Sequence, residues 1–584
     1  MRLLRSLATL FLAAAAWGNA APAQEPAGAA AAEPKESAPL AYPVRFDEEA
    51  VASESALASA VGARILERGG NAVDAAVATA FALAVTLPIA GNLGGGGFLV
   101  AWAGDRAGGT CFDFRETAPR AATERMFLDG EGRYDRERHH WSILSVGVPG
   151  SVAGLRLAHD RVGKMPWPDL VQPAVELAER GFPVSRGLAE SLSEVLPSMA
   201  KYPASMAQFS REGKPLRPGE ILRQPDLART LGRIRNLGAD DFYRGETAGL
   251  IVAEMERLGG IVRKEDLQEY YAVERKPVQG TYRGYEVLSM PPPSSGGVAL
   301  IEMLNILEGY DLAAPGLRSA RETHLIIESM RRAYADRALH LGDPDRVEVP
   351  VGRLISKEHA RELRATIRPD RASRSSPTVF RWTSEGSQTT HLSVIDRNRM
   401  AVSLTTTLEQ AYGSRIVVPG AGFLLNNEMG DFNPVPGSTD EKGRIGTPPN
   451  LVAPGKRMLS SMTPTIVVRD GIPVLVVGSP GGRTIINTVL QVVLDVLDHG
   501  VPIQDAVDLP RFHHQWLPDR VSAEVRCFSP ETRKALEELG HAIVTEFSAQ
   551  GAVMALGLRK AAGGRLQIEA GVDRRRPDTG AAGR

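Results

Sequence analysis

Apolar positions recur at helical spacing from Ser53 to Leu66, and Gly69-Gly70 breaks the pattern. Asn71 can then cap a second helix that runs to Leu87 and ends at Pro88. A glycine run, Gly94 to Gly97, leads into a strand at Leu99–Trp102, and another strand follows at Thr110–Phe114. Residues 150–275 read as amphipathic helices separated by loops. Helices are expected again at Val298–Leu307, Arg321–Leu339, Thr484–Leu497 and Pro530–Leu539. A second cluster of strand patterns covers Leu392–Ile395, Ala401–Thr407, Gly420–Leu425, the residues up to Val468, and Pro473–Val477, with further strands to Leu558. Between helix and strand patterns lie polar or Pro/Gly-rich stretches: 365–388, 433–457 and a basic tail from Asp573. No repeat of solenoid period is present.

The N-terminus departs from this globular pattern. Met1-Arg2-Leu3-Leu4-Arg5 is basic, Leu7 to Trp17 is apolar, and small residues follow at Ala20, Ala21 and Ala23. That order reads as a signal peptide over residues 1–23, the alternatives being a membrane anchor or a stray apolar tail. The apolar run is too short to span a bilayer. Residues 24–40 are rich in Ala, Pro and Glu, and the segment 24–52 is expected to be disordered or extended. The mature chain is therefore expected to be exported, periplasmic or secreted, with no membrane span after leader removal.

Composition removes several function classes. The chain of 584 residues is 43% apolar and 23% charged, an ordinary globular balance. Lys and Arg number 68 against 69 Asp and Glu, so no net field favours nucleic acid or an anionic membrane. Cys111 and Cys527 could pair in an oxidising compartment or remain buried thiols. No CxxC or HExxH cluster is present, so neither a metal nor a cofactor is expected. The glycine run sits between helix and strand and carries no lysine, unlike a phosphate-cradling loop.

Candidate chemistry centres on Gly386 to Thr407. Thr389-Thr390-His391 precedes one strand, and Thr405-Thr406-Thr407 ends the next. A hydroxyl at the start of a buried strand, with other hydroxyls close by, suits a nucleophile with helpers, although threonine in a strand is commonly a packing residue. Gly481-Gly482 just ahead of a helix exposes backbone N–H groups with a favourable dipole behind them, an oxyanion-binding arrangement. Arg115, just past a strand end, reads as a surface ion-pair residue or as a carboxylate clamp. His513-His514 would point to opposite faces of a strand and is read as structural.

Several separated stretches occur in one order: Gly69 to Ala75, Gly94 to Phe98, Asp113 to Pro119, Met290 to Gly297, Thr389-Thr390-His391, Leu424 to Phe432, Leu459 to Pro464 and Gly478 to Gly482. Together they resemble the γ-glutamyltranspeptidases, over the chain from about Ser53 onward. The resemblance implies an N-terminal-nucleophile hydrolase with a four-layer αββα sandwich, made as one precursor. It implies cleavage between Gln388 and Thr389, giving a large subunit ending at 388 and a small subunit 389–584. Thr389 would then be the catalytic nucleophile, Thr407 its hydrogen-bond partner, and Gly481 and Gly482 the oxyanion donors. Arg115, Ser460 and Ser461 would take the α-carboxylate of a γ-glutamyl substrate such as glutathione, and Glu409, Glu428 and Asp431 its ammonium. The group would pass to water or to an acceptor amino acid or dipeptide. Two departures stand out. Many members of this family carry amides where Glu409 and Glu428 stand. Residues 433–457 are long enough for the lid of the family but contain no tyrosine to gate it.

Overall fold

The computed structural model describes residues 43–104, 109–376, 388–442, 446–561 and 563–584. The expected leader, the first part of the 24–52 segment and residues 377–387 of the polar connector before Thr389 lie outside the described residues.

Two seven-stranded sheets form the middle of the molecule. In the first, strands run in the order Val44–Phe46, Leu566–Val572, Met554–Lys560, Ile472–Gly478, Thr465–Arg469, Tyr285–Ser289 and Val278–Tyr282. In the second, the order is Gly580–Gly583, Ala50–Ser53, Gln388–Ile395, Ala401–Glu409, Gly96–Trp102, Thr110–Phe114 and Val273–Arg275. Every pairing within these two sheets is antiparallel.

Side-chain alternation assigns the layers. Val51, Leu99, Leu392, Val394 and Leu404 face one core with the Ala56–Glu67 and Ala72–Thr86 helices. Ala50, Ala52, Phe98, Val100 and Ala401 face the other, shared with the first sheet and the Gly296–Leu307, Ala320–His340 and Thr484–Leu497 helices. The result is the αββα sandwich. Every residue of the Ala72–Thr86 helix is buried, and its start is fixed as the sequence predicts. Asn71 Oδ1 accepts from the Val73 and Asp74 N–H groups at 3.0 Å, and Asp74 Oδ2 accepts in return from Asn71 N at 2.9 Å.

Between the sheets runs a polar seam. Ser393 Oγ donates to Met554 O at 3.0 Å, and Ser403 Oγ donates to Val477 O at 3.1 Å. His391 bridges Thr405 Oγ1 (2.8 Å) and Ser393 Oγ (3.1 Å). Burial lowers His391 to about 3, so the ring is neutral.

Four local readings change. The helix predicted from Ser53 begins at Ala56, because Ala50–Ser53 pairs with Gln388–Ile395 and Ser55 is the cap. The polar residues from Gln388 to His391 belong to the strand Gln388–Ile395 rather than to a loop before it. Gly420–Leu425 is not a strand: Gly420 and Gly422 have φ of 76° and 74°, and only isolated bridges remain at Leu424 and Leu425. The tail is not a loose end either. Asp573 is buried against Arg511, and Gly580–Gly583 is an edge strand paired with Ala50–Ser53. Cys111 and Cys527 are both free and buried. Among the described residues no helix is long and apolar enough to cross a membrane.

Candidate active site

Thr389 lies near the start of its strand, buried, with Thr407 as its direct cross-strand partner. The pairing slips just before it. Gln388 faces Glu409 while Thr389 faces Thr407, so Leu408 is the extra residue of a bulge. Glu409 carries the distortion with a φ of 79°, rare for a residue with a Cβ. Thr407 Oγ1 accepts from the Glu409 N–H at 2.8 Å, and Asn92 Nδ2 donates to the Thr407 carbonyl at 2.9 Å. The glycine run therefore feeds an asparagine clamp on the hydroxyl-bearing strand.

Thr389, Thr407, Arg115, Glu409, Asp431, Ser460, Ser461 and Gly482 line one narrow cavity, with Met462 and Ile485 as its apolar wall. Gly481 and Gly482 both adopt positive φ, 132° and 57°, and the helix from Thr484 starts directly behind them. At Gly481 a Cβ would lie 2.5 Å from Thr484 Oγ1, so the turn needs glycine on both conformational and steric grounds. Thr389 also lines a second, wider cavity, together with Glu54, Ser191, Tyr412, Arg415, Arg576 and Asp578, among others. Glu54 accepts from His391 N at 3.3 Å, and burial pushes its carboxyl up to about 7.

Arg115 is completely buried, so the surface ion-pair alternative falls. Its guanidinium donates to Met458 O at 3.2 Å through Nε. It pairs with Glu428 at 2.5 Å, with Glu116 at 3.5 Å, and closely with Asp431. Burial alone would lower its pKa. The Glu428, Asp431 and Glu116 carboxylates outweigh that and hold it above its ordinary value. The acids respond in the opposite sense: burial lifts Glu428 well above the carboxylate range and Glu116 to about 8, with Arg115 offsetting only part. Glu428 sits behind the arginine rather than on the cavity wall.

Glu116 is a site residue that sequence reasoning missed, although it lies in the Asp113–Pro119 stretch. Room for it comes from Gly96, where a Cβ would lie 2.5 Å from Glu116 Oε2. Three asparagines were missed as well. Asn426 Oδ1 accepts from Glu428 N (3.0 Å), Asn427 Nδ2 bonds Glu409 Oε2, and Asn450 Nδ2 donates to Asp431 O (2.7 Å). Each fixes the backbone or carboxylate of one acid. They sit in loops without periodicity, and only the partner's burial gives them meaning.

The serines are held from behind. Ser460 N donates to Pro293 O (2.9 Å), and Ser295 N donates to Ser460 O (2.7 Å). Arg337 Nη2 donates to Ser461 Oγ at 3.0 Å and Nε to Ser295 Oγ at 2.8 Å. The Met290–Gly297 punctuation is thus the platform under Ser460 and Ser461. In the 433–457 segment, Asn433 N bonds Asn450 O at 2.8 Å and Asn433 Nδ2 bonds Thr447 O at 2.8 Å, so the start of the expected lid is tied to its residues 447–450, and Asn450 in turn holds Asp431. His513 and His514 are buried and bonded to Asn487 and Asp519, remote in role from Thr389, which agrees with the structural reading.

Residues 58–583 match the sequence profile of the Gamma-glutamyltranspeptidase family. The chain is 48% identical over 508 residues to the glutathione hydrolase proenzyme of Escherichia coli (strain K12), covering 86% of this chain and 87% of that one. Among solved structures, the cephalosporin acylase of Bacillus halodurans superposes with a TM-score of 0.80 at 26% identity, over 95% of this chain and 99% of that one. The Helicobacter pylori γ-glutamyltranspeptidase superposes with a TM-score of 0.53 at 45% identity, over 54% of this chain and 91% of that one. An αββα sandwich with a threonine at the head of an inner strand, together with a profile match across almost the whole described chain, leads to one assignment: this chain belongs to the γ-glutamyltranspeptidase family.

Proposed function

We propose that the chain is an autoprocessing γ-glutamyltransferase and glutathione hydrolase. The observation that carries this reading is the convergence of Thr389, Arg115, Ser460, Ser461 and Gly482 on one cavity. In the precursor, Thr389 Oγ attacks the Gln388 carbonyl carbon. The Gln388–Thr389 C–N bond breaks, its nitrogen takes a proton to become a free amine, and water opens the resulting ester. The bulge and the positive φ of Glu409 opposite that bond support strain at the cleaved position. Large subunit (to 388) and small subunit (389–584) remain one sandwich, since each contributes strands to both sheets.

In the mature form the Thr389 amine, with an intrinsic pKa near 8, takes the proton from its own hydroxyl. Oγ attacks the γ-carbonyl of glutathione or a related compound, and the Gly481 and Gly482 N–H groups receive the oxyanion. One such donor is typically worth about 3–4 kcal/mol of barrier. His391, neutral and spent on Thr405 and Ser393, is not the base. Arg115, Ser460 and Ser461 take the substrate α-carboxylate, and Glu409 and Asp431 take its ammonium, while Glu428, off the cavity wall, backs Arg115. The acyl group leaves to water, an amino acid or a dipeptide. The basic, apolar, small-residue order of residues 1–23 supports export to the periplasm or medium.

Denaturing electrophoresis tests the reading: two bands for the wild type and one for Thr389→Ala. One band for both would overturn it. A second reading, an acylase for glutaryl side chains, is favoured by the similarity to the cephalosporin acylase. A preference for glutaryl- over γ-glutamyl-anilide would select it.

A further inference from the structure

Behind the serine platform, three helices bring together a set of acceptors that the reaction does not use. Glu302 on Gly296–Leu307, Asp336 on Ala320–His340 and His359 on Lys357–Ala365 each offer a ligand atom within 4.8 Å of the others. Glu302 is 1% exposed and His359 5%, yet among the described residues Glu302 Oε1 and His359 Nδ1 have no hydrogen-bond partner. Asn305 Oδ1, one turn along from Glu302, is also buried without one. His359 Nε2 lies 2.6 Å from Asp336 Oδ2, and Glu362 Oε2 stands 3.7 Å from Nδ1.

The charge balance is as unusual as the hydrogen bonding. Two carboxylates, Glu302 and Asp336, stand together with His359 in one cluster. Cations on the same helices are turned elsewhere: Arg332 to Glu328, Arg364 to Ile306 O and Lys357 to Glu308. The Asp336–His359 hydrogen bond accounts for Nε2 but leaves Glu302 Oε1 unmatched among the described residues. Two carboxylate oxygens and one imidazole nitrogen from three separate helices are the ligand types of a Zn2+- or Mn2+-class ion. With Nε2 on such an ion, the proton moves to Nδ1, which then faces Glu362, an outer partner of the kind that orients metal-bound histidines. Glu362 is 68% exposed and marks a route to solvent.

We propose that Glu302, Asp336 and His359 form a binding site for one divalent cation of the zinc class, tying the three helices together. The site bears on the donor pocket only indirectly: Asp336 neighbours Arg337, which holds Ser461, and the Glu302 helix begins at Ser295. A second group, His324, Glu328 and His541, is less suited, because Glu328 is already bonded by Arg331 and Arg332.

The test is isothermal titration of the EDTA-treated mature protein with ZnCl2 and with MnCl2, alongside thermal melts. One cation per molecule is expected to bind at micromolar Kd or tighter and to raise Tm. Glu302→Gln and His359→Gln should each weaken binding at least tenfold, while His324→Gln with His541→Gln leaves it unchanged. Glu302→Gln keeps the shape and removes the buried charge, so without metal it should melt no lower than wild type and can carry the test if His359→Gln does not fold. Absence of saturable one-to-one binding, wild-type affinity in Glu302→Gln, or loss of binding only in the His324/His541 variant would each overturn the site.

Discussion

Replacing Glu116 by Gln isolates the electrostatics of the pocket. Glu116 is fully buried 3.5 Å from the Arg115 guanidinium, and its carboxyl is raised from 4.5 to about 8, by burial first, with Arg115 pulling back and Asp431 and Asp113 adding to the rise. A raised carboxyl favours the fold while it is protonated. That contribution is complete below pH 4.5 and is lost as pH rises through 8. Each unit of pH in that window is worth about 1.4 kcal/mol. Between pH 5 and pH 8 the wild type should therefore lose about 3–4 kcal/mol relative to the variant, whose amide does not titrate. Denaturant unfolding in a Thr389→Ala background, where the chain is expected to stay whole, at pH 5, 6.5 and 8 measures it. Parallel pH curves for the two proteins, or a variant that loses ground as pH rises, would show that Glu116 is ionised throughout and refute the reasoning.

Gly481→Ala should lower kcat by about 10²–10³-fold with little change in KM, because the turn that aims an oxyanion donor cannot accept a Cβ; steady-state kinetics with γ-glutamyl-anilide check this, and an unchanged kcat contradicts it. His391→Asn should cost about 1–3 kcal/mol of stability through lost inter-sheet bonds while leaving the shape of the pH–rate profile intact; a shifted acidic limb would instead make His391 a titrating participant. Reducing agent should leave Tm unchanged, since Cys111 and Cys527 are free thiols; a drop on reduction would mean that they pair.

What the sequence made legible was local. The Asn71 cap, the buried helix after it, the threonine strand and the Gly481-Gly482 turn depend on residues within a few positions of one another. What it hid was set by distant pairing. Gly580–Gly583 looks like a tail because its partner, Ala50–Ser53, is at the other end of the chain. For the same reason Ser53 reads in the sequence as the start of the following helix, and 50–52 as part of an unstructured segment. Glu116 shows no sign of burial in a stretch of alternating charge, and the cluster at Glu302, Asp336 and His359 has no short-range spacing to betray it. The absence of a metal motif spoke only to ligands that are neighbours in sequence.

The occupied state of Arg115 also bears on which acyl group the pocket accepts. One guanidinium already faces Glu116, Glu428 and Asp431. A glutaryl group would bring one more carboxylate to that arginine and no cation, so another buried acid would have to take a proton or remain unpaired. A γ-glutamyl group brings its own ammonium. Its carboxylate can share Arg115 while the ammonium takes over pairing with Asp431 and Glu409, leaving the net charge of the pocket unchanged. On the proposed site roles, the excess of acids around one arginine is therefore what discriminates between the two, and Glu409, on the cavity wall, widens the gap.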